Sequence, residues 1–184
     1  MISFLTPAEV VVAAGQYVDV LSVNHYDVTP GLIEGLNGIW GPFVPVDATL
    51  SRFHELSGRP IMVTEYSFRA ADAGLPNEWP PIYLTAPDQT GRADLWQQKV
   101  EGLYATPWIV GDHWFEWADQ PPGGRFDGED NNFGLVSNAD EPYEVLTSRM
   151  RAVHATAPDR LLDPRPRCGA WADGPGRLLW CLHG

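Results

Sequence analysis

The run Gly58-Arg59-Pro60-Ile61-Met62-Val63-Thr64-Glu65-Tyr66 constrains what this chain can build more than any other stretch. Turn formers lead into three apolar residues, Ile61 to Val63, β-branched at both ends, and the run then meets a carboxylate. Such a run predicts a short strand buried on both faces, since a strand with one wet face alternates apolar with polar residues. Parallel α/β sheets gather their reactive groups at the carboxyl ends of strands, which makes Glu65 a candidate catalyst. A structural role stands beside that reading: an acid there also caps a following helix or pairs with an arginine.

Two further runs have the same character. Tyr17 to Tyr26 reads as a buried strand turning polar at its far end, with Asn24 and Tyr26 on one face. Trp108 to Trp117 reads likewise and ends in His113, Trp114, Glu116 and Trp117. Helices are predicted between and around them. Thr6-Pro7-Ala8-Glu9 looks like a capping box opening a helix from Pro7 to Ala14, which stops at Gly15. Others run from Asp47 to Leu56, from Asp88 or Thr90 to about Tyr104, and from about Tyr143 to Thr156. The third carries Leu95, Trp96, Val100 and Leu103 at helical spacing; the fourth turns Val145, Leu146, Met150 and Val153 inward. Alternating strands and helices make this an α/β chain with a parallel sheet.

The connections are unusual. A loop carrying Pro30, Gly31, Gly38 and Pro42 follows the first strand, and a proline-rich loop, Ala70 to Pro87, carries Trp79 and Tyr83. Loops that long in a compact domain are usually functional or disordered, and exposed aromatics point to binding. A glycine-rich acidic loop, Ala118 to Val136, follows the third strand. From Ala157 the composition shifts to Pro, Arg and Gly, so 157–184 reads as an irregular tail with a hairpin at Gly169 to Leu182. Cys168 and Cys181 both lie there, as thiols or as a disulfide, and fix no compartment.

A net charge of −12 excludes nucleic acid and anionic membrane as natural partners and leaves a neutral or polar substrate. No run is long and apolar enough to span a membrane, and Met1 to Pro7 lacks the features of a signal peptide, so localisation stays open. No cofactor or metal is expected. His54-Glu55-Leu56-Ser57-Gly58 has glycine where a zinc-protease helix needs its second histidine. Asp127, Glu129 and Asn131 alternate like a calcium loop, but Asn132 replaces the turn glycine and the distal glutamate is missing. There is no nucleophile elbow, P-loop or dinucleotide fingerprint. What remains is acid, phenol and indoles converging from three strand ends. Carboxylates among aromatic platforms suit a sugar, whose ring has apolar faces and a rim of hydroxyls.

The succession Asp19-Val20-Leu21-Ser22-Val23-Asn24-His25-Tyr26, Arg59-Pro60-Ile61-Met62-Val63-Thr64-Glu65 and Gly111-Asp112-His113-Trp114-Phe115 resembles the last three strands of retaining (β/α)8-barrel glycoside hydrolases. That clan includes β-galactosidases, β-agarases and cellulases. Gly-Arg-Phe-Asp-Gly-Glu before Asn-Phe-Gly-Leu, within Asp119 to Val136, is most similar to the agarase-type members. The resemblance implies a partial TIM barrel over residues 1–156, with Glu65 as nucleophile, Tyr26 as donor to that carboxylate and Trp114 as floor of the cleaved subsite. Asn24, His25, His113, Glu116 and Trp117 become substrate contacts. The clan's acid/base is a glutamate following asparagine on the fourth strand, which this chain does not match; Asn77-Glu78 has the residue pair but falls in a loop. The expectation is therefore a polysaccharide hydrolase fragment that needs the amino-terminal half of its barrel and is inactive alone. A non-catalytic sugar-binding remnant and an unrelated α/β domain are the alternatives.

Overall fold

The computed structural model of the protein describes residues 6–28, 46–162, 168–170 and 179–181. The loop with Pro30, Gly31, Gly38 and Pro42 lies outside them. The fold is mixed α/β. In chain order the main elements are α1 (Ala8–Gly15), β1 (Leu21–Asn24), α2 (Val46–Ser57), β2 (Ile61–Tyr66), β3 (Arg69–Ala70) and β4 (Thr85–Ala86). They continue with α3 (Gln89–Tyr104), β5 (Ile109–Trp114), α4 (Glu144–Leu162), β6 (Cys168–Ala170) and β7 (Leu179–Cys181). Among the described residues no helix is long and apolar enough to cross a membrane.

The Glu65 strand is the middle of a three-stranded parallel sheet, ordered β1-β2-β5. Its Ile61 and Val63 are fully buried, as a run apolar on both faces requires, and pack with Leu21, Val23 and Ile109. The helices cover this core with Phe53, Trp96, Val100, Leu103 and Leu146. Helices α1 and α2 approach so closely that a Cβ on Gly15 would lie 2.4 Å from the Ser57 carbonyl oxygen. Only glycine fits there.

Several expectations are corrected. The helix start is shifted by one residue: Pro7, not Thr6, is the N-cap, with extended φ −59° and ψ 146°, and has no side-chain cap of its own. Its carbonyl instead receives the Val10 and Val11 amides. The first strand is shorter than predicted because the Tyr17 and Val18 amides bond back to Ala14, finishing α1 before the chain extends. Val145 is exposed, since Leu146, Met150 and Val153 define the buried face of α4 and residue 145 lies 100° off it. That helix also continues past Thr156 to Leu162, so the composition shift at Ala157 does not end it. The 70–87 loop contains structure, with β3 and β4 pairing in parallel. β6 and β7 are antiparallel and set Cys168 opposite Cys181, within one residue of the predicted hairpin.

On α3, Asp88 is the N-cap and accepts from the Gly91 amide at 2.8 Å. Its buried face holds Trp96, Val100 and Leu103 as expected, but also Arg92 and Lys99, while Leu95 is only partly buried. Both cations bear on the candidate site.

Candidate active site

The site begins where β1 and β2 end. A register shift between Val23 and Asn24 sets Asn24 opposite Glu65 instead of Thr64, and the Thr64 hydroxyl donates to Asn24 Oδ1 at 3.0 Å. The His25 amide donates to the Glu65 carbonyl at 2.8 Å, so the next side chain along, Tyr26, reaches its neighbour strand's acid. The Tyr26 hydroxyl donates to Glu65 Oε2 at 3.3 Å. From the other side the Tyr83 ring stacks on Tyr26, centroids 4.7 Å apart, and Phe133 leans on both.

The electrostatics fix the protonation state of that phenol. Burial, then the Glu65 charge, push Tyr26 far above the ordinary phenol range. It is therefore a neutral donor to the carboxylate at any working pH. Tyr83 is raised too, by burial and then by Glu129 and Glu65, which places Glu129 within electrostatic reach of the pair.

The third strand end is organised by the 119–136 loop. Trp114 is half-buried: its indole N–H donates to the Phe133 carbonyl at 2.8 Å, and its ring meets Tyr66 edge-on and lies 5.3 Å from the Arg92 guanidinium. Arg92 is fully buried, donates to the carbonyls of Phe68 and Gly134, and is lowered by burial to about 10, so it stays charged. Asp119 closes the loop by accepting from Asn132 Nδ2, the Gly134 amide and the Tyr143 hydroxyl. A Cβ on Gly134 would lie 2.2 Å from the Asp119 amide nitrogen, so this closure needs glycine. The 76–80 stretch is tied to the same loop: Asn131 Nδ2 donates to the Trp79 carbonyl and the Asn132 amide to Asn77 Oδ1, both at 2.7 Å.

The predicted residues are thus distributed unevenly. Tyr26 and Glu65 meet, and Trp114 joins the cluster through Tyr66 and Phe133. Asn24 and His25 are buried at the strand end, the latter with Nδ1 2.8 Å from Lys99 Nζ. His113 and Trp117 are exposed. Glu116 is half-buried, raised first by burial and then by Glu129 and Asp119 against the pull of Arg125 and Gln120; its Oε1 is buried without a hydrogen-bond partner among the described residues. Glu78 is exposed and its amide donates to Asp130 Oδ1. No three His, Cys, Asp or Glu among the described residues gather as metal ligands do. Sequence reasoning missed Phe133, Glu129 and Lys99. Only Lys99 carried a signal: a lone lysine at the i+3 spacing of a buried helix face.

No family model matches the chain. It is 35% identical over 144 residues to β-agarase A of Vibrio sp. (strain JT0107), covering 78% of this chain and 13% of that protein. β-Agarase B of the same organism is 33% identical over 145 residues, with 77% and 13% covered. The solved structure of an exo-β-agarase superposes with a TM-score of 0.66 at 29% identity, over 85% of this chain and 19% of that one. The chain thus spans about an eighth of the length of its curated relatives. It resembles a segment of the agarase-type glycoside hydrolases in both sequence and fold.

Proposed function

From that kinship with a segment of the β-agarases, we propose that the chain is the nucleophile-bearing part of a retaining glycoside hydrolase that cleaves a β-linked galactan of the agarose class. Its three parallel strands are the last three of a (β/α)8 barrel. Glu65 attacks the anomeric carbon, the glycosidic C–O bond breaks, and a glycosyl ester forms on the carboxylate until water hydrolyses it. Tyr26 holds the attacking group ionised and aimed; Trp114 floors the sugar, and His113, Glu116 and Trp117 contact it from the third strand end. Asn24 and His25 support the first. The acid/base that protonates the leaving oxygen comes from a segment outside this sequence.

The observation that carries this reading is the Tyr26 hydroxyl on Glu65 Oε2 at the carboxyl ends of adjacent parallel strands. At 3.3 Å the contact is longer than the usual O–H···O range of about 2.5–3.0 Å, as catalytic hydrogen bonds often are before substrate tightens them.

Trapping tests it. With the complementary barrel segment co-expressed, a fluorinated agaro-oligosaccharide bearing a dinitrophenyl leaving group should label Glu65, because such a group departs with little acid assistance. Digestion and mass spectrometry locate the label, and Tyr26→Phe should slow labelling without moving it. A label on Glu78 or Glu116, or one surviving Glu65→Ala, means that the wrong carboxylate has been chosen.

A further inference from the structure

We propose that Lys99 is the positioning residue of the Tyr26–Glu65 pair: its ammonium grips the residues on either side of Tyr26 and thereby turns the phenol onto the carboxylate. Lys99 is the chain's single lysine and is 5% exposed on the inner face of α3. Its Nζ lies 2.8 Å from His25 Nδ1 and forms an ion pair with Asp27. These are the residues immediately before and after Tyr26. His25 and Asp27 both reach Lys99 while Tyr26 between them reaches Glu65, the alternation that side chains show along an extended segment, so pinning 25 and 27 to one side sends 26 to the other.

The same ammonium also lies against the rings of Tyr66, next to Glu65, and Phe68, three residues beyond it. Nζ is 5.3 Å from the Tyr66 ring centroid and 5.9 Å from that of Phe68, within cation–π range of both. One charge therefore bears on both carriers of the pair from the face opposite the site. The backbone restricts the segment further: the Leu84 amide donates to the Asp27 carbonyl, Val28 bridges to Tyr83, and the Tyr83 ring backs the phenol. A buried ammonium is costly unless its donors are used, which makes this placement expensive to keep for packing alone. An ammonium can only donate, so His25 Nδ1 accepts and the ring proton sits on Nε2. If Lys99 merely neutralised Asp27, removing it would leave the phenol where it is.

The proposal rests on the reading above only in treating Tyr26 and Glu65 as the reacting pair, and its test reads geometry instead of turnover, so either can fail without the other. In the full chain labelled with carbon-13 at the tyrosine phenol carbon, the Tyr26 signal is assigned by Tyr26→Phe and followed against pH. In wild type it should stay protonated past the ordinary phenol range, because burial and the charges facing it on Glu65, Tyr83 and Glu129 disfavour the phenolate. In Lys99→Met the phenol should swing away and titrate at least about one pH unit lower. Lys99→Arg, which keeps the charge, should restore most of the difference. A folded Lys99→Met protein with the wild-type Tyr26 signal overturns the proposal. If that variant does not fold, Lys99→Met combined with Asp27→Asn removes the stranded carboxylate and must still show the displaced phenol. Should the double variant fail as well, the wild-type long-range proton–nitrogen spectrum decides: His25 protonated on Nε2 supports the clamp, and protonation on Nδ1 overturns it.

Discussion

Glu116 shows how position overrides type at the scale of a residue. Its folded pKa is raised, chiefly by burial, so ionising it in the native state costs more than in the unfolded chain. That cost is absent below the ordinary carboxylate range, where both states are protonated, and fully present above the raised value. Stability from this group therefore falls as pH climbs upward from the ordinary value of 4.5. Glu116→Gln should therefore raise the stability at pH 7 and change nothing in strong acid. Urea melts of both proteins at the two pH values measure it; an equal gain in acid points to packing instead of charge. Tyr26 is the opposite case: the sequence already put it at a polar strand end, and the strand register brings its hydroxyl to Glu65.

Among elements, α1 and α2 were legible from helix start and stop signals, but the closeness of their packing was not. Gly15 looked like a simple helix stop, and in the fold it is also the contact point, with Ser57 backbone where a Cβ would go. Gly15→Ala should cost about 1–3 kcal/mol, since backbone cannot yield as a side-chain tip does. The Tyr26–Glu65 contact lies at the far ends of the strands and should survive, so thermal melts should shift while the Tyr26 signal stays. A displaced Tyr26 signal in that variant would mean helix docking and site geometry are coupled. The acidic 119–136 loop was visible as a glycine-rich segment, whereas its closure by Asp119 was not, because it depends on partners 13 to 24 residues away.

At the scale of the whole molecule, the sheet ends in two outer strands, and among the described residues β1 and β5 are each paired on one side only. Val10, Val12, Val20 and Val110 are exposed on the elements around them. Such edges recruit other chains, as the proposed place of this chain in a larger barrel would require. The purified chain should release no measurable reducing ends from agarose, since positioned acid catalysis contributes about 10² to 10⁴-fold and the leaving oxygen would depart unprotonated. Reducing-sugar release that disappears in Glu65→Gln would show that an acid lies within these residues, with Glu116 the first to replace.

By itself the sequence determined the order of the three parallel strands and the four long helices, the polar strand ends and the resemblance to agarase-type hydrolases, because hydrophobic period and motif spacing are local properties of a chain. It also singled out Tyr26 and Glu65, which sit at ends that any parallel pairing brings together. Tertiary structure alone decided that Asn24 slips past Thr64 to face Glu65, that His25 turns inward, and that a lysine 73 residues beyond Tyr26 underlies the pair. Register, burial and the partners of a buried charge are set by which segments pack together, and that information is distributed over the whole chain instead of written at any one position.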